Sequence, residues 1–410
     1  MLKSYNLREN PFSTNPLTLD NTELLDKCFK GREKSFELLT NQLELGNAMI
    51  IGIRSGIGKT SFINYALYKL KDRYFYAILN TEENWNEESL LRSILSAIFN
   101  SLDEKTDRKM ILKKLIGNAP SIVSLVLLEM FHLKDIKDEV KGIIDFDKKT
   151  YDPIQDLKKA IKTTIKELYD LSNGKETIIA FDDLDNMTMT NMKKVFRSLK
   201  DVFQTEHSHY VFIGKPWTYN ALDGIMHDFI NRPINLEQDQ LTLDDVIESV
   251  EKRMMFMRDE EKKEAKVIPP YKDKNVLKKL YDIYEGNMRG ILNGLASAVS
   301  FKNLNNTEPV QLSENEIVDK IRNGIKEDIE ELENGEKLVL KKLADTKGGT
   351  LSLVDISNKK PYQNKTNVSK YLNGRLGPYV YISRITGKDI FWSLRPEIKY
   401  FVKLDKTFLD

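Results

Sequence analysis

The sequence predicts an α/β fold: a parallel five-stranded sheet with helices on both faces, then a helical unit, then a small C-terminal domain of three helices and a β-hairpin. Three observations carry this. Five short β-branched or apolar runs read as buried strands: Ala48–Ile53, Phe75–Asn80, Thr177–Asp182, Tyr210–Gly214 and Pro233–Leu236. Helical patterns separate them, among them Ser61–Leu70, Glu88–Leu102 and Ile154–Leu171. A glycine-rich loop stands where the first strand would hand over to a helix. Ligands of such sheets sit at the carboxyl ends of the strands.

Composition bounds the rest. The chain has 410 residues, enough for two or three domains and a large core. Its 63 basic and 62 acidic residues leave +1, which excludes a globally basic, DNA-coating protein and requires any nucleic-acid contact to come from a local patch. With 30% charged and 40% apolar residues it reads as globular. Cys28 is its single cysteine, so neither an internal disulfide nor a zinc cage can form, and a reducing, cytoplasmic setting is expected. The N-terminal residues Met1–Asn10 lack the apolar core of a signal peptide. The most apolar stretch, Pro120–Leu133, would reach only about 21 Å as a helix, short of the roughly 30 Å of bilayer hydrocarbon. No membrane span is expected.

The domain reading follows the chain. Residues 1–45 are an N-terminal lead-in and 46–236 the sheet domain, with a charged, mostly helical insertion at about 103–151. Residues 237–312 form a helical lid, in which Asp244–Met257 and Asn275–Phe301 read as helices. A linker helix at 313–335 precedes the C-terminal domain, 336–410.

The sharpest motif is Gly52-Ile53-Arg54-Ser55-Gly56-Ile57-Gly58-Lys59-Thr60-Ser61. Glycines let successive backbone N–H groups face phosphate oxygens, and the following helix N-terminus adds its positive dipole end. Ser55, Gly56, Ile57, Gly58, Lys59, Thr60 and Ser61 are the expected cradle. Lys59 would reach the β and γ phosphates and the Thr60 hydroxyl would hold Mg²⁺. Ile53 stands where the pattern GxxxxGK[ST] asks for its first glycine, with Gly52 one residue early. A second acidic element, Thr177-Ile178-Ile179-Ala180-Phe181-Asp182-Asp183, ends a buried strand in two carboxylates. Asp182 is the expected metal-site acid, and Asp183 the group that orients or deprotonates the attacking water.

At these residues the chain resembles P-loop ATPases of the AAA+ superfamily, nearest to the Orc1/Cdc6-like initiator and archaeal-type ATPases and the related STAND signalling ATPases. Phe29-Lys30-Gly31-Arg32-Glu33 is similar to the element those families place near the adenine, which implies a cofactor contact for Arg32. Gly286-Asn287-Met288-Arg289-Gly290-Ile291-Leu292 resembles their lid motif, whose arginine, here Arg289, is the sensor-2 contact to phosphate. Asn231-Arg232-Pro233 matches the place of an arginine finger and makes Arg232 a catalytic candidate, supplied to or received by a neighbouring copy or a partner protein. The fourth strand, Phe212-Ile213-Gly214-Lys215, lacks the polar sensor-1 residue of those families. Leu7-Arg8-Glu9-Asn10-Pro11-Phe12 looks like the lead-in of transposition and secretion ATPases. The resemblance implies ATP and Mg²⁺ as cofactors and slow ATP hydrolysis.

In the C-terminal domain, helices at Glu336–Leu343, Leu351–Ser357 and Asn364–Asn373 are followed by strands at Tyr379–Ile385 and Ile390–Leu394, the order of a winged helix-turn-helix. It resembles the winged helix that follows the lid in initiator-like ATPases. Val368, Tyr371 and Leu372 share the core face of the third helix. Lys365, Thr366, Ser369, Lys370 and Asn373 then face a major groove, and Arg384 and Lys388 lie on the wing. Between Gly335 and Leu404 stand 14 Lys/Arg against 5 Asp/Glu, so +9 of charge gathers here. Duplex DNA is the expected partner. The alternative is a STAND-like signalling or anti-phage switch whose winged helix contacts protein.

Overall fold

The computed structural model describes residues 5–101, 152–226, 230, 232–259, 266–302, 309, 311–346, 350–357, 364–386 and 389–409. The insertion at 103–151, with the apolar stretch Pro120–Leu133, lies outside them. The described elements in chain order are α1 (Thr22–Cys28), α2 (Glu33–Leu45), β1 (Ala48–Ile51), α3 (Lys59–Leu70), β2 (Tyr74–Asn80), α4 (Glu87–Asn100) and α5 (Pro153–Leu171). Next come β3 (Glu176–Asp182), α6 (Met189–Ser198), β4 (Ser208–Gly214), α7 (Pro216–Met226), β5 (Ile234–Asn235) and α8 (Leu243–Phe256). Then follow α9 (Asn275–Tyr284), α10 (Met288–Lys302), α11 (Glu314–Glu330), α12 (Asn334–Ala344), β6 (Thr350–Ser352) and α13 (Leu353–Ser357). The chain closes with α14 (Lys365–Asn373), β7 (Val380–Thr386), β8 (Asp389–Leu394) and α15 (Pro396–Leu404). No described helix is long and apolar enough to cross a membrane.

Two compact units divide the chain. One comprises Lys34–Ile51 and Ala66–Asn235, the other Met1–Glu33, Gly52–Tyr65 and Leu236–Asp410.

The first unit holds the expected five-stranded parallel sheet, in the order β2-β3-β4-β1-β5. Every residue of β1 is buried, as is β3 from Thr177 to Asp182, which is why both read as apolar runs without alternation. The register aligns the carboxyl ends: Ile51 pairs with Gly214, Phe181 with Phe212 and Asn80 with Asp182. β1 ends at Ile51, two residues before the expected boundary, because the chain leaves the sheet at Gly52. One apolar core joins the strands to α4, α5, α6 and α7. At its centre Phe181 stacks on Phe212 with ring centroids 5.5 Å apart, and Phe196, Phe203 and Tyr210 close around the pair. Truncating such a fully buried ring to alanine costs roughly 3–5 kcal/mol. Asn47 ties the sheet's rim, donating to the Phe203 carbonyl and accepting from the Tyr210 amide. Helix starts are capped by side chains: Asn86 and Ser89 form a reciprocal box at α4, and Asp152 accepts from the first turn of α5, where Pro153 presets the backbone.

The second unit has two cores. In one, α8, α9 and α10 bury Val246, Val250, Leu277, Leu280, Ile291 and Leu295 together with Tyr5, Leu7 and Phe12 of the lead-in. The lead-in is stitched on by backbone bonds: Arg8 N–H donates to the Met257 carbonyl at 2.8 Å, and Asn6 O accepts from Asp259 N–H at 2.9 Å. In the other core, α12, α14, β7, β8 and α15 close over Leu340, Val368, Leu372, Trp392 and Phe401, and Ile283 of α9 is part of it.

Three expectations are corrected here. Asn275–Phe301 is not one continuous helix: Glu285 and Gly286 take left-handed backbones (φ 48° and 73°), and the Gly286 amide returns to the Tyr281 carbonyl, ending α9 before α10 begins at Met288. The second C-terminal helix starts at Leu353 instead of Leu351, because Thr350–Ser352 pairs antiparallel with β8 to give a three-stranded sheet, β6-β8-β7. The chain also adds a helix, α15, whose Pro396 sits at the first turn. Val368 and Leu372 are buried as the helical pattern requires, and Tyr371 packs at the edge of the same core.

Candidate functional site

The glycine loop leaves β1 at Ile51 and ends where α3 begins at Lys59. Gly56 and Gly58 carry φ of +78° and +99°, a region that costs other residues about 1–2 kcal/mol. Their N–H groups donate to no acceptor among the described residues, as expected of amides kept for an anion. Gly52 has an ordinary backbone, and its role is steric. A Cβ there would stand 2.9 Å from Ile57 Cγ2 and 3.3 Å from Lys59 Cδ. The early glycine therefore does close-packing work: it lets the lysine stem lie against the loop, with Nζ 3.4 Å from the Gly52 carbonyl. The Thr60 carbonyl accepts from Asn64, and the Ser61 hydroxyl accepts from the Leu17 amide at 3.0 Å.

Within the same unit the turn between α9 and α10 is bonded to this loop. Arg289 Nη1 donates to Ser55 Oγ at 2.9 Å, and Asn287 Nδ2 donates to the Ser55 carbonyl at 2.9 Å. A Cβ at Gly56 would lie 2.5 Å from Arg289 Cβ, so the glycine also permits the turn's close approach. The loop's entrance is held by Glu237, whose Oε1 accepts from the amides of Ile53 (2.8 Å) and Arg54 (3.0 Å). The Arg54 guanidinium is buried and meets the Glu285 carboxylate at 3.3 Å. Arg32, the expected adenine neighbour, is 5% exposed and spends its guanidinium on carbonyls of Leu236, Asp239 and Ile57. Burial lowers its pKa to about 10, with Asp239 and Glu237 opposing, so it stays charged at neutral pH. Arg32 thus acts as a clamp on the loop's underside.

The acidic strand end belongs to the other unit. Asp182 is 1% exposed at the carboxyl end of β3, and its Oδ1 accepts from the Asp183 amide at 2.9 Å. Asp183 is exposed and left-handed (φ 54°), a conformation aspartate tolerates better than most residues. Lys215, at the end of β4, forms an ion pair with Asp185 at 2.8 Å. Arg232 is exposed beside β5, and its carbonyl accepts from Gln42. Among the described residues no group of three or more His, Cys, Asp or Glu is arranged to hold a metal ion.

On α14, Lys365, Thr366, Lys370 and Asn373 are exposed on one helix, and the half-buried Ser369 accepts from Asn373. Arg384 is exposed on β7 with its guanidinium 4.0 Å from the Phe391 ring centroid, so this cation is pre-oriented by an aromatic face. Lys388 lies outside the described residues.

Sequence reasoning missed Glu237, Arg54, Asn287 and Glu285. The glycine–asparagine pair 286–287 is a turn signal that could have exposed the last two. Nothing local marks Glu237, which acts across 184 residues of chain.

The chain is similar to solved structures of Cdc6p from Pyrobaculum aerophilum (14% identity, 97% of each chain covered, TM-score 0.39) and of Aeropyrum pernix Orc1 in complex with DNA (14%, 96% of this chain and 94% of that one, TM-score 0.40). It is also similar to a structure of Drosophila ORC bound to poly(dA/dT) DNA and Cdc6 (12%, 79% and 48%, TM-score 0.37). No curated protein matches it in sequence. Residues 35–216 match the KAP family P-loop domain. The match spans the loop, α3 and the strands β1 to β4. The parallel sheet and the loop at its strand–helix junction have the arrangement of a P-loop NTPase fold, in keeping with this match.

Proposed function

We propose that the chain is an Orc1/Cdc6-like AAA+ ATPase that binds Mg²⁺-ATP at residues 55–61, hydrolyses it slowly, and couples its nucleotide state to duplex DNA through the C-terminal domain. The observation that carries this is the loop itself. Two left-handed glycines feed into a helix N-terminus, and a lid arginine already rests on Ser55. The residues suit the nucleotide. The free amides and Lys59 match a polyphosphate, and Arg289 is one hydrogen bond from the loop. Mg²⁺ commonly keeps most of its waters and takes few protein ligands; the Thr60 hydroxyl would be one, and Asp182 is the acid we assign to the metal. When bound, Mg²⁺ neutralises charge on the β and γ phosphates. Asp183 would orient the water, with Arg232 offered to a neighbouring copy or partner protein.

The C-terminal domain reads as a winged helix: helix, strand, two helices and a hairpin in that order, with β6 beside β8. Its exposed α14 cations and the ring-braced Arg384 support a polyanion contact. Titration with a fluorescent ATP analogue tests the nucleotide site: Lys59→Ala binding Mg²⁺-ATP as tightly as wild type would remove this reading.

A second reading, a STAND-like switch, is favoured by Arg375, which donates to the Glu331 carbonyl and pairs with the Glu336 carboxylate. The basic domain then keeps part of its charge for the chain itself. Duplex binding at low salt that is lost in the Lys370→Glu, Arg384→Glu double variant supports the first reading. Binding that is absent, or unchanged by the pair, supports the second.

A further inference from the structure

Arg54 lies in the glycine loop, and its side chain is engaged by Glu285. The guanidinium, with 10% of its side chain exposed, meets both the carboxylate and the carbonyl of Glu285, while its backbone N–H is pinned by Glu237. Glu285 is the residue that ends α9, and it does so in the left-handed region, where a glutamate has no intrinsic preference to be. A left-handed glutamate persists when its surroundings over-determine it. Here they include Arg54 on one side and the turn to Asn287, bonded to Ser55, on the other.

The opposite end of this junction is in the C-terminal domain. Ile283, two residues before Glu285, is fully buried in the C-terminal core, and Tyr284 packs against it. α9 packs on α15, where Lys279 lies 5.8 Å from the Tyr400 ring centroid. The charges at the loop are felt across this contact. Burial pushes the Glu397 carboxyl up, Arg395 and Arg54 oppose this, and Glu285 adds to it. Burial likewise raises the Tyr381 hydroxyl, against the pull of Arg54 and with the push of Glu285 and Glu237.

We infer that the Arg54–Glu285 pair is a mechanical coupling between the phosphate loop and the C-terminal domain: a loop that shifts on binding triphosphate moves the end of α9, and α9 moves the sheet and α15 that it shares a core with. The inference rests on the proposed nucleotide site and concerns its regulation. Arg289 and Asn287 contact the same loop at Ser55 and Gly56 and take no part in the Arg54–Glu285 ion pair, so removing the Glu285 carboxylate breaks this pair while leaving those contacts in place. Arg54 and Glu285 act as positioning residues.

The experiment is hydrogen exchange on the full chain with and without Mg²⁺ and a non-hydrolysable ATP analogue, alongside analogue affinity by displacement of a fluorescent nucleotide. In wild type, amides of residues 376–386 and 389–404 should change exchange rate by about twofold or more on binding. In Glu285→Asn, which keeps the left-handed turn accessible, and in Glu285→Gln, affinity should stay within about threefold while that change disappears. Exchange at residues 52–66 should still respond, which shows that the variants are folded and loaded. A C-terminal response retained in both loaded variants overturns the coupling. So does a wild type that binds the analogue with no C-terminal response. A wild type that binds no nucleotide overturns the site reading itself, and the coupling with it.

Discussion

Replacing Gly56 with alanine tests how closely the start of α10 approaches the glycine loop. The new methyl meets two obstacles. Its backbone must hold φ +78°, which costs about 1–2 kcal/mol for a residue with a side chain. Its Cβ must also fit 2.5 Å from Arg289 Cβ and 3.0 Å from Asn287 Oδ1. The first of these contacts is far inside van der Waals range and involves an atom fixed to the backbone of α10, so rotating a side chain cannot relieve it. Forced overpacking of this kind adds roughly 1–3 kcal/mol. Gly58 provides the control, since its φ is +99° but nothing lies within 4 Å of a Cβ there. Gly58→Ala should therefore cost only the backbone share, and Gly56→Ala about 2–5 kcal/mol in all. Urea unfolding monitored by circular dichroism, without nucleotide, gives both values, and an Arg289→Gly background removes the clashing atom. In that background the cost of Gly56→Ala should fall towards that of Gly58→Ala, leaving only the 3.0 Å contact with Asn287 Oδ1. Equal destabilisation by the two alanines, or no relief from Arg289→Gly, would refute the close approach of α10 to the loop.

Other outcomes follow from the same geometry. Asp183→Asn should retain Mg²⁺-ATP binding and lose hydrolysis in a phosphate-release assay, and because asparagine tolerates φ 54° the fold should be unaffected. Chelating Mg²⁺ with EDTA should abolish turnover, restored by adding the metal back. Arg32→Ala leaves the carbonyls of Leu236, Asp239 and Ile57 without their charged donor and should cost about 3 kcal/mol or more in urea unfolding, whether or not nucleotide is present. Lys370→Glu with Arg384→Glu should abolish, in a gel-shift titration, the salt-sensitive duplex binding that the wild type shows at low salt.

The sheet was legible because its strands are buried on both sides and show as unbroken apolar runs; β3 could hardly be read otherwise. The loop was legible because it needs specific residue types at consecutive positions. What escaped was joined from far away in sequence. Glu237 reaching Ile53 and Arg54 leaves no periodic trace, and neither do the bonds from Arg32 to the Leu236 and Asp239 carbonyls. The break after Tyr284 was hidden by apolar spacing that continues in phase on both sides, while the bend itself rests on two backbone angles. β6 is three residues long and was absorbed into the helix after it.

The lead-in residues Tyr5, Leu7 and Phe12 complete a core whose other members lie between Leu241 and Ile317. During synthesis these residues emerge well before the segment 241–317 that covers their apolar side chains. The sheet unit, closed by Asn235, can be finished in the meantime. Birth order and folding order are thus inverted for these three side chains, which leaves a sticky stretch open to chaperones until the segment from Leu241 onward has emerged.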